Sequence, residues 1–203
     1  MRAARLLLAA SCAALLAACA GSGGDGTRLY VLSATAVPAP AAASAAPAVV
    51  VATVRLPQYL DRPQLVTRGS GHRLQIAEFD QWAGDLREDL TRTLADNLGR
   101  QLGSPRVVAA PHSLKAPAAF RVEVEVLGFE RLADGRVRLA ARWWLTRGAE
   151  AAPIEGTRTA ELFGVPLGEK APADAIVASM SQVYGEFARG VAEAIRAAGG
   201  AKP

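Results

Sequence analysis

Residues able to act as a nucleophile or a general base are few in this chain and are poorly placed for catalysis. The two histidines, His72 and His112, each lie beside turn-forming residues. Ser70 stands close to His72 in a Gly-Ser-Gly-His run, but residues so near in a glycine turn cannot normally place a hydroxyl on its base. No metalloprotease, hydrolase, phosphate-loop or dinucleotide motif occurs in a suitable context. The sequence therefore predicts a non-enzymatic protein with no catalytic residue, no cofactor and no metal site.

Both cysteines lie near the start of the chain, in surroundings typical of an export signal. Arg2 and Arg5 precede an apolar run over residues 6–16, which is shorter than the roughly 20 residues that a membrane-spanning helix needs. The Leu-Ala-Ala-Cys run that ends at Cys19 resembles the bacterial lipobox. This resemblance implies that residues 1–18 are a lipoprotein signal peptide and that Cys19 carries lipid. The alternative is an ordinary secretory signal with an incidental cysteine.

Lipid at Cys19 would decide both the location of the protein and its thiol chemistry. Several acyl chains, at roughly 0.8 kcal/mol per buried CH₂, make a firm membrane anchor. The next residue is Ala20 and not the Asp that tends to retain lipoproteins in the inner membrane, so the resemblance favours the periplasmic side of a Gram-negative outer membrane. Since Cys12 leaves with the signal, no thiol remains for a disulfide or a metal.

Length and charge are consistent with one domain on a tether. The chain has 203 residues and a formal net charge of +4, of which the signal peptide carries two units, and it has no basic block of the nucleic-acid-binding kind. Residues 19–27 form a lipidated N-terminus and a Gly-rich tether. Residues 28–199 form the predicted domain, and its Ala- and Pro-rich part, residues 34–48, is predicted to be an extended loop.

Apolar periodicity predicts two long helices. The first spans residues 81–102, with Asp80 as its candidate N-cap and Gly103 as its stop. The second spans residues 173–198 and ends at a Gly-Gly pair. The residues of the two predicted apolar stripes are Trp82, Leu86, Leu90, Leu94, Leu98 and Leu102, and Ile176, Met180, Val183, Tyr184, Phe187, Val191 and Ile195.

The remaining apolar segments predict strands. A strong hairpin is predicted over residues 120–132 and 136–146 with a two-residue Asp-Gly turn, in a register that places Val126 opposite Trp143 and leaves Glu130 on the apolar face. Shorter strands are predicted at residues 29–32, 49–56, 64–68, 72–77, 106–109 and 157–165. The fold class is therefore α+β, a single domain in which a mostly antiparallel or mixed sheet packs with two long helices.

The segment over residues 57–63 differs from a generic loop. Two prolines bracket Tyr59, Leu60, Asp61 and Arg62, and proline restricts the backbone. Tyr and Arg often carry binding energy at protein interfaces, so these four residues are a candidate partner-docking loop. An alternative remains open, in which Tyr59 and Leu60 cover the edge of the core while Asp61 and Arg62 bond to the backbone of the loop.

The same segment carries a family resemblance. Residues 56–66 read Leu-Pro-Gln-Tyr-Leu-Asp-Arg-Pro-Gln-Leu-Val, and a stretch ending in Trp82 and the leucine stripe follow. Together with the lipobox and the early strand at Tyr30, this pattern resembles the ABC-type transport auxiliary lipoproteins, the PqiC-like family. The match is strong over residues 56–102 and generic after residue 106.

The resemblance implies a non-catalytic subunit of an MCE/ABC-type system that transports phospholipid across the cell envelope. Its expected partner is a periplasmic MCE-domain (PqiB-like) protein, which it would dock at the outer membrane. It leaves open whether the chain forms a homo-oligomer or itself binds phospholipid. Alternative functions are an interaction lipoprotein that serves cell-wall synthesis or outer-membrane assembly, and a lipid-modifying hydrolase.

Overall fold

The computed structural model describes residues 26–40, 46–112, 117–148, 153–154 and 156–200. Cys19, the signal peptide and residues 41–45 of the predicted loop lie outside the described residues. The described part contains the following elements in chain order: β1 (Arg28–Tyr30), β2 (Val49–Val51), β3 (Gln64–Arg68), β4 (Leu74–Trp82), α1 (Leu86–Leu102), β5 (Val107–Ala109), β6 (Phe120–Arg131), β7 (Val137–Arg147), β8 (Arg158–Phe163) and α2 (Ala173–Gly200).

The sheet is mixed and is organised around β6. Along one edge β6 pairs with β7, which pairs with β8, and both pairings are antiparallel. Along its other edge β6 pairs in parallel with β2 near its start and with β3 near its end. β5 extends the sheet from β2, while β4 and then β1 extend it from β3. The predicted α+β class with one mixed sheet and two long helices is confirmed.

Helix α1 buries its predicted stripe but begins later than predicted. The five leucines of the stripe lie on α1 and are buried, whereas Trp82 is buried at the end of β4. The N-cap is Asp85, whose side chain accepts a hydrogen bond from the backbone N–H of Arg87. The prediction that Asp80 caps the helix is wrong, because Asp80 lies in β4 and binds Arg28 of β1. Gly103 ends the helix as predicted, in the left-handed conformation with φ 59°.

Helix α2 also has the predicted apolar face, and every residue of that face is buried. The helix packs against α1 and β7. At the centre of the core, the ring of Tyr184 stacks on Phe187 and lies 5.8 Å, between centroids, from that of Phe129. Neither α1 nor α2, the helices of the described residues, is long and apolar enough to cross a bilayer.

The register of the β6–β7 hairpin differs from the predicted one. Trp143 pairs with Val124 rather than with Val126. The turn is also wider than two residues, because the N–H of Leu132 donates to the carbonyl of Arg136 and that of Gly135 to the carbonyl of Leu132. Gly135 has φ 87°, a conformation that favours glycine.

A bulge in β6 causes half of this difference, because the wider turn shifts the pairing by one residue and the bulge shifts it by another. The register shifts between Val126 and Gly128, so that the exposed Leu127 is an extra residue on β6. Beyond the bulge the alternation inverts. Phe129 pairs with Leu139 in the core, while Glu130 pairs with Arg138 on the opposite face of the sheet. The prediction that Glu130 lies on the core face is therefore wrong.

Between β1 and β2 the chain forms a strap, residues 32–39, against both helices. The described part of the predicted 34–48 loop contains neither helix nor strand. Helix side chains hold the strap backbone: the buried Oδ1 of Asn97 accepts from the N–H groups of Thr35 at 3.1 Å and of Ala36 at 2.9 Å, and Ser181 accepts from Ser33. A Cβ on Gly185 would lie 2.1 Å from the Thr35 hydroxyl, so the strap requires glycine there.

Candidate docking surface

The loop over residues 57–63 lies in the connection from β2 to β3. These two strands pair with different ends of the same edge of β6. Its backbone forms consecutive turns, in which the N–H of Leu60 donates to the carbonyl of Pro57 at 3.0 Å and that of Asp61 to the carbonyl of Gln58 at 3.2 Å. The carbonyl of Pro63 accepts from the N–H of Trp82 at 2.7 Å. The loop is therefore tied both to itself and to β4.

Two of the four candidate docking residues point into the protein. Leu60 is 3% exposed and belongs to the hydrophobic core. Tyr59 is half-buried, and its hydroxyl donates a hydrogen bond of 2.7 Å to Oε2 of Glu130. These contacts agree with the alternative in which Tyr59 and Leu60 cover the core edge. A partner that binds the folded protein would therefore not contact the side chain of Leu60.

Glu130 is the centre of a buried charged cluster on the face of the sheet opposite Phe129. Its carboxylate is inaccessible to solvent, and Oε1 accepts from Nε of Arg68 at 3.1 Å and from Nη2 of Arg138 at 3.2 Å. Charge-assisted hydrogen bonds of this kind satisfy a buried carboxylate. Burial, followed by the hydrogen bond to Glu130, raises the pKa of Tyr59.

The bulge glycine makes room for this cluster. A Cβ on Gly128 would lie 2.8 Å from Nη2 of Arg138 and 3.3 Å from the Tyr59 hydroxyl. The alternation of β6 predicts Glu130 on the core face, and no local pattern marks Arg68 or Arg138 as its partners. The available signal was Gly128 itself, because a glycine inside an alternating strand often marks a bulge or a close approach.

The other two candidate residues contribute to the surface. Oδ1 of Asp61 accepts from Nη2 of Arg87 at 2.8 Å, which ties the loop to α1 rather than to its own backbone. The side chain of Arg62 is partly exposed. Its Nε is shielded from solvent and has no hydrogen-bond partner among the described residues. The outward face of the loop thus consists of the side chains of Asp61, Arg62 and Pro63.

The residues considered for catalysis are not assembled into a site. Ser70 and His72 are both exposed in the turn between β3 and β4, and His112 is exposed after β5. Within the described ranges, no group of three or more His, Cys, Asp and Glu side chains could hold a metal ion.

These features define an α+β domain in which buried contacts of Tyr59 and Leu60 hold the 57–63 loop in place. A family model for the ABC-type transport auxiliary lipoprotein component matches residues 30–192. The chain belongs to this family, and the family resemblance inferred from the sequence is confirmed. Members of the family are auxiliary components of a transporter, a role that implies protein partners.

Solved structures share the fold. The crystal structure of an uncharacterized protein, 25% identical, superposes with a TM-score of 0.66 and covers 84% of this chain and 99% of its own. A Xanthomonas campestris protein of the DUF330 family, 15% identical, also has a TM-score of 0.66, with coverage of 82% and 93%. The PelC dodecamer from Paraburkholderia phytofirmans, 15% identical with coverage of 74% and 91%, has a TM-score of 0.39, too low to support an argument about assembly. No curated protein matches the chain.

Proposed function

We propose that this protein is a non-catalytic lipoprotein subunit of an MCE/ABC-type system for phospholipid transport in the cell envelope. It docks the periplasmic MCE-domain conduit at the outer membrane, to which lipid on Cys19 anchors it. The observation that carries the proposal is the family match over residues 30–192. The lipobox that ends at Cys19 supports the anchor, and Ala20 supports the outer membrane.

Docking uses the outward face of the 57–63 loop. Arg62 supplies a partly exposed guanidinium, and Asp61 supplies an exposed carboxylate held by Arg87. Tyr59 and Leu60 act from inside, since their contacts with Glu130 and the core hold the loop in one conformation. A loop that is ordered before binding loses less conformational entropy on association, which strengthens the complex.

The docking proposal is tested by measuring binding of the lipidated protein, in nanodiscs, to the purified periplasmic MCE-domain protein from the same cell. Arg62→Glu should weaken binding at least tenfold. Arg142→Glu is the control, because it makes the same change of charge at an exposed arginine that lies away from the loop, on β7. Equal affinities for wild type and Arg62→Glu would exclude the loop as the docking site. The absence of any binding by the wild type would overturn the transport role itself.

The anchor is tested by membrane fractionation. Wild-type protein should cofractionate with the outer membrane, and Cys19→Ala should move to the soluble periplasmic fraction or be retained with its uncleaved signal. Processed Cys19→Ala protein that stays in the outer membrane would refute lipid anchoring through Cys19. Photocrosslinking from position 62 in cells then identifies the partner, and capture of a cell-wall enzyme in place of an MCE protein would favour the alternative interaction role.

A further inference from the structure

Three large apolar side chains are exposed where the described chain begins. Leu29 is 63% exposed, Val31 is 53% exposed and Phe79 is 44% exposed. The parallel pairing of β1 with β4 places Leu29 beside Gln81, and Phe79 precedes Gln81 by two residues on the same face of β4. We call these three residues the N-terminal apolar patch.

Contacts on the opposite face of β1 fix the outward position of Leu29. There Tyr30 packs against the core and its hydroxyl donates to Asp80 at 3.0 Å, while Nε of Arg28 donates to the same carboxylate at 2.7 Å. Because strand side chains alternate between faces, these contacts hold Leu29 on the solvent side. Rotation of β1 to bury Leu29 would break the contacts of Arg28 and Tyr30.

The patch continues into a shallow groove of about 390 Å³ beside the start of α2. Leu29 and Val31 line it from the strand side and Val177 and Ala178 from the helix, and the helix also contributes polar side chains such as Asp174. Strand β1 is also an edge strand of the sheet in the described residues, since it pairs with β4 alone. An edge that exposes apolar side chains can associate with another surface.

The length of the tether indicates what covers the patch. Between Cys19 and Arg28, the first residue of β1, there are nine peptide steps. At no more than about 3.5 Å per residue, the tether reaches at most about 32 Å. If Cys19 carries lipid, the start of β1 is therefore always within that distance of the bilayer. A surface held so close to another binds it through an effectively intramolecular contact, for which a few apolar side chains suffice.

We infer that the N-terminal apolar patch rests on the phospholipid surface of the membrane that holds Cys19. This second contact rests on the proposed lipid anchor and gives the domain one orientation on the membrane instead of free rotation about its tether. The docking loop is thereby presented to the partner in a defined direction.

The inference is tested with the full lipidated protein in vesicles of phosphatidylethanolamine and phosphatidylglycerol at about 3:1. The acylated chain contains no free cysteine, so single variants Leu29→Cys, Val31→Cys and Phe79→Cys accept one NBD fluorophore each. Doxyl-labelled phospholipid in the vesicles should quench each label at least twofold. The double variant Leu29→Asp/Val31→Asp should lose at least half of the quenching at position 79, while its urea midpoint stays unchanged because both side chains are exposed.

Ala119→Cys is the matched control. Ala119 is exposed and lies just before the start of β6, whereas β1 is joined through β4 and β3 to the other end of that strand. Ala119 is therefore about 25 Å from the N-terminal apolar patch along the strand direction, and a label at position 119 should remain unquenched. Quenching at positions 29, 31 and 79 that is no greater than at position 119, in protein that floats with the vesicles, overturns the patch contact and leaves the anchor and the transport role intact. Protein that fails to float overturns both the anchor and the contact.

Discussion

Replacement of Glu130 by alanine tests whether the buried cluster holds the docking loop. The change removes the carboxylate to which Tyr59, Arg68 and Arg138 all donate. Removal of one partner from a buried ion pair typically costs about 3–5 kcal/mol, because the remaining charge loses its compensation. The side chains of Arg68 and Arg138 are 31% and 28% exposed, so water recovers part of that loss. We expect the free energy of unfolding to fall by about 2–4 kcal/mol.

The assay is urea denaturation followed by tryptophan fluorescence, with two comparison variants. Glu125→Ala removes another carboxylate of β6, whose Oε2 lies 3.0 Å from Nη2 of Arg142. Because both side chains are more than one-third exposed, the expected loss of unfolding free energy is below about 1 kcal/mol. Glu130→Gln keeps the shape and an acceptor for the two arginines but loses the charge, so its loss should fall between those of the other two variants.

A local measurement separates loop release from general destabilisation. Hydrogen exchange at the backbone amides of Leu60 and Asp61, which donate within the loop, should accelerate more in Glu130→Ala than exchange in the centre of α2. If Glu130→Ala is no less stable than Glu125→Ala and exchange in the loop is unchanged, the cluster does not order the loop and the reasoning is refuted.

Three further predictions concern the strap, the tyrosine and the helix cap. Gly185→Ala should cost about 1–3 kcal/mol of unfolding free energy because its Cβ meets the Thr35 hydroxyl, and most of the loss should disappear in the double variant with Thr35→Ala. Gly190→Ala, in the same helix with open space around it, should stabilise the protein by up to about 1 kcal/mol, and a loss there would contradict the steric argument. The raised pKa of Tyr59 means that the folded state keeps its proton after the unfolded chain loses it. Urea midpoints should therefore fall as the pH rises above about 10, and less steeply in Tyr59→Phe. Asp85→Ala removes the N-cap acceptor of α1 and should cost about 0.5–2 kcal/mol in the same assay, whereas no loss would mean that solvent satisfies the N–H of Arg87 equally well.

Local patterns in the sequence determined the elements and the faces of the helices. A stripe at helical spacing can be recognised within a single segment. Its residues form one face of the helix, and that face is buried whichever element packs against it. The stripes of α1 and α2 are accordingly buried as predicted, and the left-handed Gly103 ends α1 where the glycine indicated. The lipobox-like run before Cys19 and the proline-bracketed motif are likewise local, and their resemblance to the family's pattern indicates the family.

Tertiary contacts decided where those elements begin and what the polar residues do. Asp80 and Trp82 fit the first turn of a helix by pattern, but pairing with β1 places both in a strand. The composition of β6 does not reveal that Leu127 forms a bulge. That bulge nevertheless turns Glu130 from the core face to the opposite face.

The Glu130 cluster and the outward face of the docking loop depend on contacts between residues far apart in the chain. Tyr59 and Glu130 are separated by 71 positions, and no local spacing records that their side chains meet. Sequence alone therefore left open which loop residues point inward. The structure settles their placement because a buried carboxylate must be satisfied by donors, and the fold brings Tyr59, Arg68 and Arg138 to it.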